Sequence, residues 1–349
     1  MSVSYRTYDQ VMSMARATTS SEISPGRNAT EPVGARHPLA DVTADETSLR
    51  RFLSGLPGVD PVGIEQRAAG LATRSIKRAS KRRALDLAIS MVDLTTLEGS
   101  DTPGRVRSLT VKAARPDPGY PDTPAVAAVC VYPDLVAVAV DTLSALGDPG
   151  VAVASVATAF PSGRSSRAVK LAEVRAAVAD GADEIDMVID RGAFLAGRFG
   201  EVFDEIVAVK AECGSVTLKV ILETGELATY DNVRRAAWLA LLAGGDFVKT
   251  STGKVSPAAT LPITCVLLQA VRDFAAVTGE LRGVKAAGGI RASKDALRYL
   301  VAVREVAGPQ WLTPARFRFG ASSLLTDLLL QRRTQLEGHY GGADYLPVD

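Results

Sequence analysis

Short apolar runs alternate along the chain with longer stretches in which apolar residues recur at helical spacing. Stretches such as RAVKLAEVRAAVADG and NVRRAAWLALLAGG repeat apolar positions every three or four residues and end at glycine, as amphipathic helices often do. The apolar runs between these stretches are typical of strands. Eight strands are predicted, with the sequences MVDLTTL, AAVCVYP, VAVASVATAF, EIDMVID, TLKVILET, FVKTST, RGVKAAGG and FRFGASS.

This alternation indicates an α/β protein with a parallel sheet. Eight strand–helix units within about 240 residues are typical of a single TIM barrel, the (β/α)8 fold. A doubly wound sheet with an additional domain fits the pattern less well. We therefore predict a TIM barrel that carries an N-terminal helical extension.

The region before the first strand differs in composition. Residues 18–60 are rich in Ser, Thr, Pro, Gly and Asp and show little periodicity, whereas residues 64–89 form a basic stretch with helical spacing. We expect a flexible or loosely docked extension over residues 1–60, a barrel domain with its leading helix over residues 61–335, and a tail over residues 336–349.

Composition narrows the class of protein further. The 349 residues are 47% hydrophobic, which is enough for a sizeable core, and 40 basic residues balance 39 acidic ones. This balance gives no sign of nucleic-acid binding, and no run of roughly 20 uncharged apolar residues indicates a membrane span. The three cysteines lack paired spacing, so we expect neither disulfides nor a zinc site and favour a cytoplasmic location. The N-terminus has no apolar secretory core, although its Arg and Ser content leaves organelle targeting open.

Histidine is scarce, which excludes several kinds of chemistry. The two histidines, His37 and His339, lie outside the periodic segments. A Ser-His-Asp triad, a Cys-His pair or a multi-histidine metal site is therefore not expected, and no cofactor or metal ion is predicted. Lysines and carboxylates remain as the groups that can move protons.

Polar residues mark the strand ends, where TIM barrels build their active sites. Two of them are lysines on neighbouring strands, Lys249 and Lys285. A single strand lysine more often pairs with a carboxylate than performs catalysis. Two ammonium groups at roughly 6 Å, with an effective dielectric constant near 20, would repel by about 3 kcal/mol, or about two pKa units. One amine would then be partly neutral near pH 7 and able to attack a carbonyl group.

A phosphate site is expected beyond the last two strands of such a barrel. Gly288, Gly289 and the GASS run at residues 320–323 offer backbone N–H groups and hydroxyls there. The local signal is weak, because Gly and Ser before a helix fit a simple turn and N-cap equally well.

Several motifs together resemble the class I deoxyribose-phosphate aldolases, which use a lysine Schiff base. The resemblance covers residues 91–327 in consistent order through MVDLTTL, VCVYP, VATAFPSG, EVRAAVADGADEIDMVID, LKVILETGEL, DFVKTSTGK, VKAAGGIR and RFGASSLL. It implies reversible, metal-independent cleavage of 2-deoxy-D-ribose 5-phosphate to acetaldehyde and D-glyceraldehyde 3-phosphate, in deoxyribonucleoside catabolism. Another class I phosphosugar aldolase, or a catalytically silent phosphosugar-binding barrel, remains an alternative.

The resemblance also implies roles for the strand-end residues. Lys249 corresponds to the Schiff-base lysine, and Lys285 to the lysine that lowers its pKa. Asp186 corresponds to the aspartate that moves protons during carbinolamine formation and enamine protonation. Asp93 would orient Lys285 and bind a substrate hydroxyl.

The same resemblance assigns the rest of the substrate. Phosphate binding would fall to Lys254, Gly288, Gly289, Ser322 and Ser323. Thr95 and Thr252 are candidates for further substrate contacts, and Cys130 either lies near the acetaldehyde end or is a small buried residue. Tyr340 and Tyr345 both qualify as a tail tyrosine that assists proton transfer. The expected partner is a phosphosugar, with no nucleic acid or membrane, and a homodimer is a candidate assembly.

Overall fold

The computed structural model describes residues 38–76 and 79–339, so Tyr340 and Tyr345 lie outside the described residues. The strands are β1 (Val92–Thr95), β2 (Ala128–Val131), β3 (Ala152–Ala157), β4 (Glu184–Val188), β5 (Thr217–Ile221), β6 (Phe247–Lys249), β7 (Gly283–Ala287) and β8 (Phe317–Ala321). The helices are α1 (Glu46–Gly55), α2 (Pro61–Ala72), α3 (Ala79–Ser90), α4 (Pro103–Ala114), α5 (Val136–Ala145), α6 (Arg167–Ala179), α7 (Arg191–Leu195), α8 (Phe199–Cys213), α9 (Tyr230–Leu242), α10 (Leu261–Thr278), α11 (Ser293–Val306) and α12 (Leu324–Glu337).

The strands close into a parallel barrel, because each pairs with the next in sequence and β8 pairs with β1. The predicted TIM barrel is confirmed. The observed strands are shorter than the predicted ones, since the last residues of each apolar run turn out of the sheet into the following loop. FVKTST, for example, contributes only Phe247–Lys249 to β6.

The barrel interior has an apolar part and a charged part. Ala128 and Cys130 of β2 and Ala154 and Val156 of β3 form a small apolar cluster with Leu97, separate from the main core. The remaining strands contribute buried charged side chains that bond to one another: Asp93, Glu184, Asp186, Lys219, Lys249, Lys285 and Arg318. The larger apolar core lies between the strands and the surrounding helices.

The described part of the N-terminal extension is docked on the barrel helices. Phe52 of α1 meets Trp238 of α9 edge to face, with ring centroids 5.3 Å apart. Helix α3, which follows the extension and leads into β1, is also tied to the barrel: its Asp86 accepts a hydrogen bond of 2.6 Å from the buried Arg332 of α12. The single helical stretch predicted for residues 64–89 is two helices, α2 and α3. The domain limits at residues 60 and 335 stay a prediction.

Helix α10 is long and apolar enough to cross a membrane by length and composition alone. It packs between α9 and α11 and against β7, and its buried residues include Cys265, Leu268 and Phe274. Its apolar character is therefore explained by its place against the barrel wall.

Candidate active site

Asp186 lies at the centre of the buried charges inside the barrel. Its Oδ2 atom accepts hydrogen bonds of 2.7 Å from the Nζ atoms of both Lys249 and Lys285. Its Oδ1 atom accepts a third bond, of 2.8 Å, from Nζ of Lys219. The strand register produces this convergence, since Asp186 pairs with Lys219 and Lys249 pairs with Lys285 across adjacent strands. One carboxylate thus holds the two amines that the sequence places on neighbouring strands.

A second group of buried charged side chains contacts Lys285 and Lys219. Nζ of Lys285 lies 2.6 Å from Oδ2 of Asp93, and Arg318 joins Asp93 at 2.6 Å to Glu184 at 2.8 Å. Lys219 also contacts Glu184. Asp93 and Lys285 are therefore in contact, and the role of Asp93 in orienting Lys285 stays a prediction.

The buried cluster has one more basic side chain than it has carboxylates. The cluster contains four basic side chains and three carboxylates: Lys219, Lys249, Lys285 and Arg318, with Asp93, Glu184 and Asp186. Full ionisation would leave one positive charge without a partner in a largely buried cluster, which is costly. Loss of one proton from a lysine removes that excess.

The pKa shifts identify this lysine as Lys249. Burial lowers the pKa of Lys249 below the ordinary lysine value; the carboxylate of Asp186 opposes this shift and the ammonium of Lys285 reinforces it. Burial also disfavours the charge on Lys285, but Asp186 and Asp93 outweigh it and hold the pKa of Lys285 well above the ordinary value. The pKa values of the two amines therefore move in opposite directions, and Lys249 is the one that more readily loses its proton.

Above Lys249 a pocket of about 290 Å³ opens at the carboxyl ends of the strands. Lys249 forms part of its floor and is only 2% exposed. The predicted substrate residues that line this pocket are Thr95, Thr252, Lys254, Gly288, Gly289, Ser322 and Ser323. The fully buried Cys130 does not line it and packs within the apolar cluster of β2 and β3.

The far end of the pocket is suited to an anion. Gly289, Ser322 and Ser323 carry backbone N–H groups for which the described part of the chain supplies no hydrogen-bond partner. Helix α12 begins next to them, so the positive end of its dipole faces the pocket. The N–H group of Gly288, in contrast, donates to the carbonyl of Gly320 at 3.3 Å, and Nζ of Lys254 pairs with Glu98 at 2.8 Å.

Gly288 and Gly289 provide a matched test of this end of the pocket. Both have φ angles in the left-handed region, +82° and +83°. A Cβ on Gly288 would lie 2.7 Å from Cβ of Ala258, whereas a Cβ on Gly289 would meet open space. Gly288→Ala should therefore cost about 1–3 kcal/mol more than Gly289→Ala in the free energy of unfolding, measured by urea titration. Equal losses would show that backbone strain, and not the contact with Ala258, fixes this loop.

Sequence reasoning missed part of the charge cluster, namely Lys219, Glu184 and Arg318. Glu184 precedes Asp186 by two residues and so shares its side of β4, which alternation along a strand could have indicated. Lys219 and Arg318 lie on strands β5 and β8, where one basic residue in an apolar run equally fits an outward position. The pocket also includes Glu98 and Arg291, which follow the predicted strands in loops.

These features place two buried amines at the foot of a barrel pocket whose far end is suited to an anion, an arrangement typical of a barrel enzyme. Residues 87–328 match the family model described as DeoC/LacD family aldolase. The chain is 44% identical to the deoxyribose-phosphate aldolase of Mus musculus and 43% identical to that of Homo sapiens, each over 289 residues that cover 79% of this chain and 89% of the relative. The protein belongs to the DeoC/LacD aldolase family, which confirms the family resemblance and the prediction of a lyase.

A solved structure supports the same assignment. The tetrameric deoxyribose phosphate aldolase from Aeropyrum pernix superposes with a TM-score of 0.52 at 26% identity. The match covers 78% of this chain and 99% of that one. The shared barrel therefore extends over most of the residues that the structure describes.

Proposed function

We propose that the protein catalyses the reversible aldol cleavage of 2-deoxy-D-ribose 5-phosphate through an imine on Lys249. The observation that carries this proposal is the pair of 2.7 Å contacts from Asp186 to Lys249 and Lys285, below a pocket with free backbone N–H groups. Relatives in mouse and human bear the name deoxyribose-phosphate aldolase. The products would be acetaldehyde and D-glyceraldehyde 3-phosphate.

The first stage joins enzyme and sugar. The neutral amine of Lys249 attacks C1 of the open-chain aldehyde and forms a carbinolamine, which takes up a proton on its hydroxyl group and loses water to give a protonated imine. A base removes the proton from the C3 hydroxyl, the C2–C3 bond breaks, and its electron pair moves towards the imine nitrogen to form an enamine. D-Glyceraldehyde 3-phosphate leaves, and the protonated imine has served as the electron sink without a metal ion.

The second stage returns the enzyme. The enamine takes a proton at C2, and water hydrolyses the resulting imine to acetaldehyde and free Lys249. Because Oδ2 of Asp186 contacts the amine of Lys249, the carboxylate is placed to move a proton to or from the reacting nitrogen, directly or through water. Lys285 supplies a permanent positive charge that keeps the amine of Lys249 neutral before each turnover.

The two ends of the site match the two ends of the substrate. The phosphate would lie against the backbone of Gly289, Ser322 and Ser323, where helix α12 begins, with Lys254 at the rim. The two-carbon end of the sugar, which lacks a hydroxyl at C2, would lie deeper, near the apolar cluster around Cys130 and Val156. Holding the phosphate fixes the distance between C1 and Lys249.

Chemical trapping tests the proposal directly. Borohydride reduction in the presence of acetaldehyde is expected to add an ethyl group to Lys249, detected by peptide mass spectrometry. Acetaldehyde without borohydride serves as the control, because an unreduced imine hydrolyses during preparation. An unmodified Lys249, or an adduct on another lysine at equal yield, would contradict the imine mechanism.

The wider setting forms part of the same proposal. Acetaldehyde and a triose phosphate are products that central metabolism can consume, which suits a catabolic role for deoxyribonucleosides in the cytoplasm. A phosphosugar is the expected small-molecule partner. The homodimer stays a prediction, which analytical ultracentrifugation can test.

A further inference from the structure

Glu223 is a fully buried acid that lies outside the charge cluster around Asp186. It lies two residues beyond the end of β5 and adopts a left-handed backbone conformation, with φ 51° and ψ 60°. Among the described residues no basic side chain lies within 4 Å of its carboxylate, and burial raises the pKa of Glu223. A buried carboxylate on a strained backbone persists only where the surrounding contacts hold it in place.

Those contacts all come from the loop after β6. Both carboxylate oxygens accept from the backbone N–H of Thr252, at 3.2 and 3.3 Å, and Oε2 also accepts from the Thr252 hydroxyl. The hydroxyl oxygen in turn accepts from the backbone N–H of Lys254 at 3.1 Å. A continuous chain of hydrogen bonds therefore runs from Lys254 through Thr252 to Glu223.

The loops after β5 and β6 also touch closely elsewhere. The N–H of Thr224 donates to the carbonyl of Thr250 at 2.8 Å. A Cβ on Gly225 would lie 2.1 Å from the carbonyl oxygen of Pro257, so only glycine fits there. The β5 loop therefore acts as a fixed support along the length of the β6 loop.

We propose that Glu223 is a positioning residue that sets the preference of the enzyme for a phosphorylated sugar by fixing the loop from Thr252 to Lys254. This inference rests on the proposed function. Glu223 does not line the pocket and so does not touch the substrate. Because the single hydroxyl proton of Thr252 is donated to Glu223, Thr252 contributes to the site by shaping the loop.

Glu223→Asn separates this role from a general structural one. Asparagine tolerates the left-handed backbone, but its side chain is one methylene shorter and cannot reach Thr252. We expect KM for 2-deoxyribose 5-phosphate to rise about tenfold with kcat changed less than about twofold, the effect of one lost charge-assisted hydrogen bond. For 2-deoxyribose without phosphate, kcat/KM should stay the same.

Two further comparisons keep the test decisive. Glu226→Gln, on the same loop but paired with Arg191, should leave both substrates unaffected. If Glu223→Asn is insoluble, Thr252→Val should raise KM for the phosphorylated sugar while Thr252→Ser, which keeps the hydroxyl, should not. Equal losses on both sugars, or an unchanged preference for phosphate, would overturn the inference. Absence of imine trapping in the wild type would instead overturn the proposed function.

Discussion

Replacement of Lys249 by methionine is expected to lower kcat for 2-deoxyribose 5-phosphate by about 10⁴-fold or more, since the variant cannot form the covalent imine. Methionine retains most of the volume of the lysine stem, so the barrel interior should stay packed. Asp186 would keep two cationic partners, Lys219 and Lys285. The loss should therefore be catalytic and not structural.

The pH dependence of the free energy of unfolding provides an independent test with this variant. The folded-state pKa of Lys249 is lowered, so folding releases a proton from this side chain at pH values between the folded and unfolded pKa. In that window the wild type becomes more stable as pH rises, and this pH dependence should vanish in Lys249→Met. Urea unfolding across neutral to alkaline pH measures it. Retention of more than about one percent of wild-type kcat would place the nucleophile elsewhere.

The sequence predicts the buried lysine pair better than the network of charges around it. Lys249 is visible because a lysine inside FVKTST is anomalous in its local surroundings. The charge balance depends also on Lys219, Glu184 and Arg318, whose inward direction is set by strand register and barrel closure. No local pattern separates an inward basic residue in TLKVILET from an outward one, since the side-chain direction reverses with a one-residue shift.

The position of Glu223 behind the β6 loop could not be predicted from the sequence, for a different reason. The sequence identifies Glu223 as the end of a strand, but its left-handed conformation is uncommon for glutamate and leaves no sign in composition. The break between α2 and α3 is equally hidden, because residues 64–89 keep helical spacing almost throughout. Loop contacts and helix ends depend on tertiary packing that a single sequence does not display.

The buried excess of one positive charge explains why the site contains so many ionic groups. A single lysine beside Asp186 would form a closed ion pair and stay protonated, with no nucleophile at neutral pH. The additional cations Lys219, Lys285 and Arg318 pair with the same carboxylates, so Lys249, whose pKa is lowered by burial, is the lysine that most readily releases its proton. The carboxylates of Asp93 and Glu184 offset the mutual repulsion of the cationic side chains in the cluster.

Replacement of Lys285 by methionine is expected to shift the pH dependence of kcat/KM towards alkaline pH. The variant balances three cations with three carboxylates, which removes the excess charge and the repulsion that together disfavour protonation of Lys249. The pKa of Lys249 should therefore rise, and activity at pH 7 should fall by about 100-fold, the ratio that corresponds to a repulsion of about 3 kcal/mol. Activity should then recover about tenfold for each pH unit until Lys249 titrates.

Two further variants test this prediction. One should shift the pH profile in the opposite direction, and the other is a control that should leave the profile unchanged. Asp93→Asn removes a carboxylate instead of a cation, so it should lower the pKa of Lys249 and extend activity towards acid pH. Lys170→Met removes another buried lysine, paired with Glu205 between α6 and α8, and should leave the pH profile in place. These outcomes are compared by measuring kcat/KM for all three variants from acid to alkaline pH. If Lys285→Met and Asp93→Asn move the profile in the same direction, net charge does not set the state of Lys249.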